Sequence, residues 1–285
     1  MFDLALICYH TFSIKPVIKI GFILLLLPLK LLAQPATFTN KFGMEFVLVK
    51  PGSMVVGKFQ PGVGEPPKEK LDRPTLPPSA YKTAAAMAQK SARPGFTVNL
   101  NQPYYIGKFE VTQEQWQKIM GSNPALFQKN KVKDNAAKHP VENITWEEAQ
   151  AFVKKLNAQD KQHTYRLPTE FEWEYAARAG ATEDIPWSEI NEVAVLGGTT
   201  TSPIGQKKPN SWGIYDMLGN VWEWVQDYYN EKIFADPVPP RTGKEHVLKG
   251  ASFTGDVKNA TYLTHAAGPG NGFDIGVRLV MKANK

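Results

Sequence analysis

The sequence predicts an α+β fold of short irregular strands, two or three helices and extensive loops. Three observations predict it. Apolar alternation comes in short runs only, such as Phe46-Val47-Leu48-Val49 and Phe96-Thr97-Val98-Asn99-Leu100. Apolar spacing of three and four is sustained in a few windows, each opened by a threonine with Gln or Glu three residues on. Glycine and proline break the chain between these windows.

The elements follow in order. Residues 41–57 read as two strands around a Pro51-Gly52 turn, an opening hairpin. Residues 58–95 are a Pro-rich insertion, with prolines at 61, 66, 67, 74, 77, 78 and 94, read as tolerated surface length rather than a partner-binding arm. A short helix fits Ala84 to Lys90. Strands follow at 96–100 and 104–111. Thr112 with Gln115 then caps a helix carrying Trp116 and Ile119, which Gly121-Ser122-Asn123-Pro124 ends. Thr145 with Glu148 caps a second, from Trp146 to Gln159, whose stripe is Trp146, Ala149, Phe152, Val153 and Leu156. Thr169 with Glu172 caps a third, stopped at Gly180. Residues 181–212 are loop, and 246–253 and 276–281 are further extended runs.

The stretch Gly213-Ile214-Tyr215-Asp216-Met217-Leu218-Gly219-Asn220-Val221-Trp222-Glu223-Trp224 stands apart. Gly219-Asn220 is a turn pair, since both residues tolerate positive φ. Such a turn brings the Asp216 and Glu223 oxygens and nearby carbonyls toward one point, a donor set that suits a hard cation such as calcium. A tight hairpin with an aromatic anchor and no metal stays open beside it. Trp222 and Trp224 are expected on opposite sides of a strand.

The chain has 285 residues, 42% hydrophobic, enough for one large domain with a real core. A net charge of +6 from scattered lysines, with no interleaved aromatics, argues against nucleic acid. Residues 1–34 read as a secretory signal peptide. Lys15 and Lys19 precede the apolar run Ile20 to Leu29, and Ala33-Gln34 offers a cleavage point. The chain is then exported to the periplasm or extracellular space; an uncleaved segment would anchor it to a membrane. The one cysteine, Cys8, lies inside this leader. The exported part therefore has no disulfide, thiolate nucleophile or cysteine metal site.

Several phrases occur in a telling order: Gly107-Lys108-Phe109-Glu110-Val111-Thr112, Pro140 to Trp146, Arg166-Leu167-Pro168-Thr169-Glu170-Phe171-Glu172-Trp173-Glu174-Tyr175 onward to Gly180, Pro209-Asn210 through Trp224, and Gly276-Val277-Arg278. Over residues 41–283 the chain resembles the formylglycine-generating enzyme family, the sulfatase-modifying factor domains. The resemblance implies a C-type-lectin-related fold. Oxidases of that family hold copper with two cysteines and convert a protein cysteine to formylglycine. Here those positions fall near Gly255 and Ala260, after Lys249-Gly250-Ala251-Ser252, and neither can bind copper. His246 and His265 flank them, while His139 and His163 lie far upstream, so a substitute histidine site would need distant residues to converge. Resemblance also implies a structural calcium on side-chain oxygens of Asp216 and Glu223 and backbone oxygens of Leu218 or Gly219 and of Val221.

The implied function is an exported binding or scaffold component of the cell envelope, a pseudoenzyme with no catalytic residues. Its ligand groove would lie near Trp222, Ser252, Phe253 and His265 and take a protein or peptide. Two other readings stay open. One is a formylglycine-type oxidoreductase with non-cysteine metal ligands. The other is a calcium-stabilised carbohydrate-binding module that uses Trp222, Trp224 and Tyr228.

Overall fold

The computed structural model describes residues 36–57, 95–234, 238–257, 260–268 and 270–283. The expected signal peptide, residues 58–94 of the Pro-rich insertion and the short helix expected there lie outside the described residues. Among those described, eleven strands are β1 (Thr37–Thr39), β2 (Glu45–Val49), β3 (Gly52–Val56), β4 (Phe96–Leu100), β5 (Tyr104–Gly107), β6 (Tyr165–Arg166), β7 (Trp222–Tyr228), β8 (His246–Lys249), β9 (His265–Ala267), β10 (Ile275–Val277) and β11 (Val280–Lys282). Four helices join them: α1 (Gln113–Met120), α2 (Trp146–Gln159), α3 (Glu170–Arg178) and the single turn α4 (Ile190–Val193).

All three expected capping boxes form. The Thr112, Thr145 and Thr169 hydroxyls accept from the backbone N–H of Gln115, Glu148 and Glu172, and each of those side chains accepts from the N–H of its threonine. These bonds satisfy donors that a helix start leaves orphaned. Gly121 ends α1 at φ 85°, and Ala179 then Gly180 end α3 in the left-handed region.

The strands make three sheets. One has the order β1-β2-β5-β11-β6, a second the order β10-β7-β8-β9, and β3 pairs with β4 alone. The C-terminal β11 lies antiparallel between β5 and β6, so the end of the domain closes on its beginning. The expected opening hairpin does not form. β2 pairs with β1 and β5, and β3 leaves the sheet to pair with β4. Gly52 has a packing role instead: a Cβ there would strike the Tyr175 hydroxyl.

β7 separates two hydrophobic clusters. Trp222 and Trp224 pack into the one containing Trp116, Phe152 and Val277, while Val225 joins the one containing Trp173, Trp187 and Met217. The two tryptophans therefore share a face, which corrects the expectation that they oppose. Residues i and i+2 of a strand point the same way. Glu223, between them, points to the other face and accepts from the Trp173 indole N–H at 2.6 Å.

Candidate functional site

The stretch before β7 is built on left-handed backbone. Asp216, Gly219 and Asn220 sit at φ 54°, 84° and 58°. A Cβ at Gly219 would collide with the backbone of Val195, so this position admits only glycine. The buried Asn220 side chain ties three segments together. Its Oδ1 accepts from the Ser202 N–H at 2.9 Å, and its Nδ2 donates to Glu110 at 3.1 Å and the Ser202 carbonyl at 3.3 Å.

The Glu223 carboxylate and three backbone carbonyls gather around a cation that the chain itself supplies. Arg278, fully buried at the end of the Gly276-Val277-Arg278 phrase, donates through Nε and Nη2 to Glu223 at 2.7 to 3.1 Å. It also donates to the carbonyls of Gly107 (2.9 Å), Tyr215 (2.9 Å) and Asp216 (3.3 Å). With the Trp173 indole added, each Glu223 oxygen accepts two bonds, the capacity of a carboxylate oxygen. Glu223 has no lone pair left for a metal. Of the set Asp216, Leu218, Gly219, Val221 and Glu223, the Glu223 carboxylate and the Asp216 carbonyl are taken up by the Arg278 guanidinium, so the Glu223 carboxylate as arranged does not fit a calcium ligand. Among the described residues no group of three or more His, Asp or Glu side chains is placed to hold a metal ion.

Burial raises the other carboxyls of this centre. Glu110 is held well above the usual carboxylate range by burial, then by the charge of Asp216, against the pull of Arg278. Asp216 is pushed up to about 6, by burial first, against the Gly205 N–H and Arg278. Glu110 Oε1 and Asp216 Oδ1 have no hydrogen-bond partner.

The groove residues divide. Ser252 is fully buried, and its hydroxyl donates to Asp274 Oδ2 at 2.7 Å beside the Thr254 hydroxyl at 2.9 Å. The Asp274 carbonyl accepts from the Trp222 N–H, and the Asn220 carbonyl from the Phe253 N–H. Ser252, Phe253 and Trp222 thus form one unit. Ser252 and Phe253 are buried in it rather than exposed along a groove, a correction whose cause is Asp274, which draws the serine inward. His265 has other partners, Glu170 Oε1 at 3.0 Å and the rings of Tyr229 and Phe234. The solvent side of this unit is apolar: Phe127 and Phe253 pack edge to face at 5.3 Å, and Phe273 and Leu126 are 48% and 51% exposed.

Gly255 and Ala260 stand near the positions where the family resemblance expects copper ligands. The Gly255 N–H donates to the Ser252 carbonyl, and Ala260 is buried. The four histidines weighed as substitutes do not converge. His139 lies 2.6 Å from Asp134 and 2.8 Å from Thr201, His163 lies 3.0 Å from Asp160, His246 is stacked between Trp146 and Tyr228, and His265 lies against Glu170. Asp134, His139 and Thr201 are spaced like an activated hydroxyl, but Thr201 is buried. Of the residues expected to stack on sugars, Trp224 is buried with its indole N–H on the Ile144 carbonyl, Tyr228 stacks on His246, and Trp222 is half-buried.

Sequence reasoning missed two features. Glu142 is buried beneath the loop at 125–128. Its Oε1 accepts from the Phe127 N–H at 2.9 Å, and burial, aided by the nearby Asp274, pushes it up to about 7 against that bond. A carboxylate in the extended run Pro140-Val141-Glu142 was the available signal. The second is a buried ionic cluster. Lys249 donates to Glu174 (3.4 Å) and to the Tyr262 carbonyl (2.9 Å), and Glu174 also pairs with Arg178. Its members come from α3, β8 and the loop after β8, so no local pattern announces it.

With this geometry in place, residues 33–283 match the family model of the sulfatase-modifying factor enzyme 1-like domain. The chain is 30% identical over 259 residues to the chaperone protein LppX of Paenibacillus barcinonensis, a match covering 70% of this chain and 86% of that protein. It is 34% identical over 140 residues to the formylglycine-generating enzyme of Streptomyces coelicolor, covering 40% of this chain and 42% of the enzyme. Among solved structures, PvdO from Pseudomonas aeruginosa superposes with a TM-score of 0.68 over 88% of this chain and 100% of that one, at 22% identity, a likeness of fold. Treponema denticola variable protein 1 superposes at 0.63 with the same coverage and 27% identity. The fold is the irregular α+β, C-type-lectin-like one expected.

Proposed function

The chain belongs to the sulfatase-modifying-factor family, and from that premise we propose that it is an exported, non-oxidase member that binds polypeptide as a scaffold or chaperone of the cell envelope. One observation carries this reading. The sole cysteine is Cys8, and the positions to which the family resemblance assigns the copper-holding cysteines fall near Gly255 and Ala260. Cysteine oxidation by that route needs two thiolates for a soft metal, and the domain offers none. Against Phe253 lies an apolar surface of Phe273, Phe127 and the neighbouring Leu126, beside the hydrogen-bonded unit of Ser252, Thr254 and Asp274. That surface suits an extended polypeptide with apolar side chains. A relative named as a chaperone, matched over 86% of its length, supports a protein-handling role.

Export is part of the proposal. A basic flank and short apolar run precede residue 33, where the family match begins. Among the described residues no helix is long and apolar enough to cross a membrane. Calcium is not part of it, because Arg278 supplies the central positive charge.

The test is fluorescence anisotropy with a panel of labelled unstructured peptides, half of them rich in Phe and Leu. The apolar peptides should saturate, and Phe273→Ala should weaken them about fivefold, as expected for losing roughly 1 kcal/mol of contact. Absence of saturable binding across the panel would reject the reading.

A further inference from the structure

The apolar surface is carried by two loops remote in sequence. Leu126 and Phe127 lie in the loop at 124–128, and Phe273 in the loop at 270–274. The Phe273 ring centroid lies 6.5 Å from that of Phe127 and 6.1 Å from that of Phe253. Neither loop is held by a helix or strand of its own. The placing of the rings therefore depends on what ties the loops to each other and to the core.

Asn143 ties them to each other. Its N–H donates to the Gly272 carbonyl at 2.9 Å, and its Oδ1 accepts from Asn271 Nδ2 at 2.9 Å. Its own Nδ2 donates to the Pro124 carbonyl at 3.1 Å. Glu142, one residue earlier, adds a second tie to the first loop through the Phe127 N–H. This bridge stands on the core. The Val141 N–H donates to the Val111 carbonyl, the Ile144 carbonyl accepts from the Trp224 indole, and the Val141 and Ile144 side chains are fully buried. Asn143 reaches both loops from left-handed backbone, φ 63°, which asparagine tolerates better than most side chains. Backbone strain of this kind persists only where the surroundings over-determine it, and it clusters at binding sites.

We propose that Asn143 is the positioning residue of the polypeptide-binding surface, setting Phe127 and Phe273 against Phe253 before a peptide arrives. The inference rests on the peptide-binding reading of that surface. Loops held in place beforehand raise affinity, because the ligand need not order them on binding.

The experiment is a double-mutant cycle on the full-length protein, read by fluorescence anisotropy with the Phe- and Leu-rich peptides. Asn143→Gly keeps the left-handed backbone and the bond to Gly272 but deletes both side-chain bonds. It should weaken the peptides about fivefold in the wild-type background. With Phe273 already alanine the loss should shrink to less than about twofold, because the ring being positioned is gone. Asn271→Ala, at an exposed position, breaks the same bridge from the other side and carries the test should Asn143→Gly fail to fold. Its effect should depend on Phe273 in the same way. Hydrogen exchange should quicken at the Phe127 amide in Asn143→Gly while the β7 amides stay protected, which a general loss of stability would not produce. Additive losses, unchanged affinity, or exchange that quickens equally across the domain would each overturn the inference and leave the peptide-binding reading standing. A wild type that binds no peptide would overturn that reading, and the inference with it.

Discussion

Arg278 and Glu223, 55 residues apart in sequence, meet through three N–H···O contacts of 2.7, 3.0 and 3.1 Å, with both side chains out of solvent. This pair joins the turn before β7 to the C-terminal strands, and the remaining guanidinium donors reach back to Gly107 and Tyr215. It occupies the place where a metal was expected to knit the same loops. A buried pair of this kind specifies an arrangement more than it stabilises one, since desolvation offsets much of its attraction.

Breaking the pair from one side should therefore cost far more than removing it. Arg278→Ala leaves Glu223 buried without its counter-charge and should lower stability by about 3–5 kcal/mol. Arg278→Met combined with Glu223→Gln should recover a large part of that loss. Urea denaturation of the wild type, both single variants and the double variant measures the coupling.

Calcium should leave the domain unmoved. The midpoint of thermal unfolding is expected to agree in excess calcium and in EDTA. A ligand bound only to the folded state would raise it. A clear calcium-dependent rise, abolished by Glu223→Gln, would mean that the metal displaces Arg278.

Stability should fall as pH rises from about 4 to 7. Asp184 and Asp216 are each raised from 3.8 to about 6, and Glu142 from 4.5 to about 7, burial being the first cause in each. Above the unfolded value the unfolded chain releases a proton that the folded chain keeps, so each step in pH favours unfolding until the folded group also ionises. The loss is complete above the folded values. Glu142→Gln should remove the part of the slope between about pH 6 and 7, as read from denaturation midpoints across a pH series.

Two glycines separate backbone strain from collision. Gly121 and Gly219 have nearly the same φ, 85° and 84°, but a Cβ at Gly121 meets nothing within 4 Å, while one at Gly219 meets the backbone of Val195. Gly121→Ala should cost about 1 kcal/mol, the conformational penalty alone. Gly219→Ala should cost several times more, because the obstructing atoms cannot rotate away. Equal losses would mean that the Val195 segment yields easily.

The helices were legible because their information is local. Each threonine N-cap and its Gln or Glu partner lie three residues apart, and all three helices began where those pairs stand. Strand partners were not legible, and β3 left the expected hairpin for β4, beyond the Pro-rich insertion. That Glu223 and nearby carbonyls converge on one point was visible in the sequence, but the identity of the cation was not. It is set by a residue from the far end of the domain, and no local pattern links Glu223 to Arg278. Ser252 was found as a site residue, whereas its partners Asp274 and Thr254, and the neighbouring Glu142, were not. Single carboxylates in short extended runs look like surface positions until the fold buries them.

The most direct test of the central claim is chemical. The purified domain is supplied with Cu(I), oxygen and a peptide carrying the cysteine of a sulfatase-type motif, and the peptide is followed by mass spectrometry for the aldehyde. The predicted result is unmodified cysteine at the level of the protein-free control, with no stoichiometric Cu(I) uptake by the protein. Catalytic conversion to formylglycine would contradict the account.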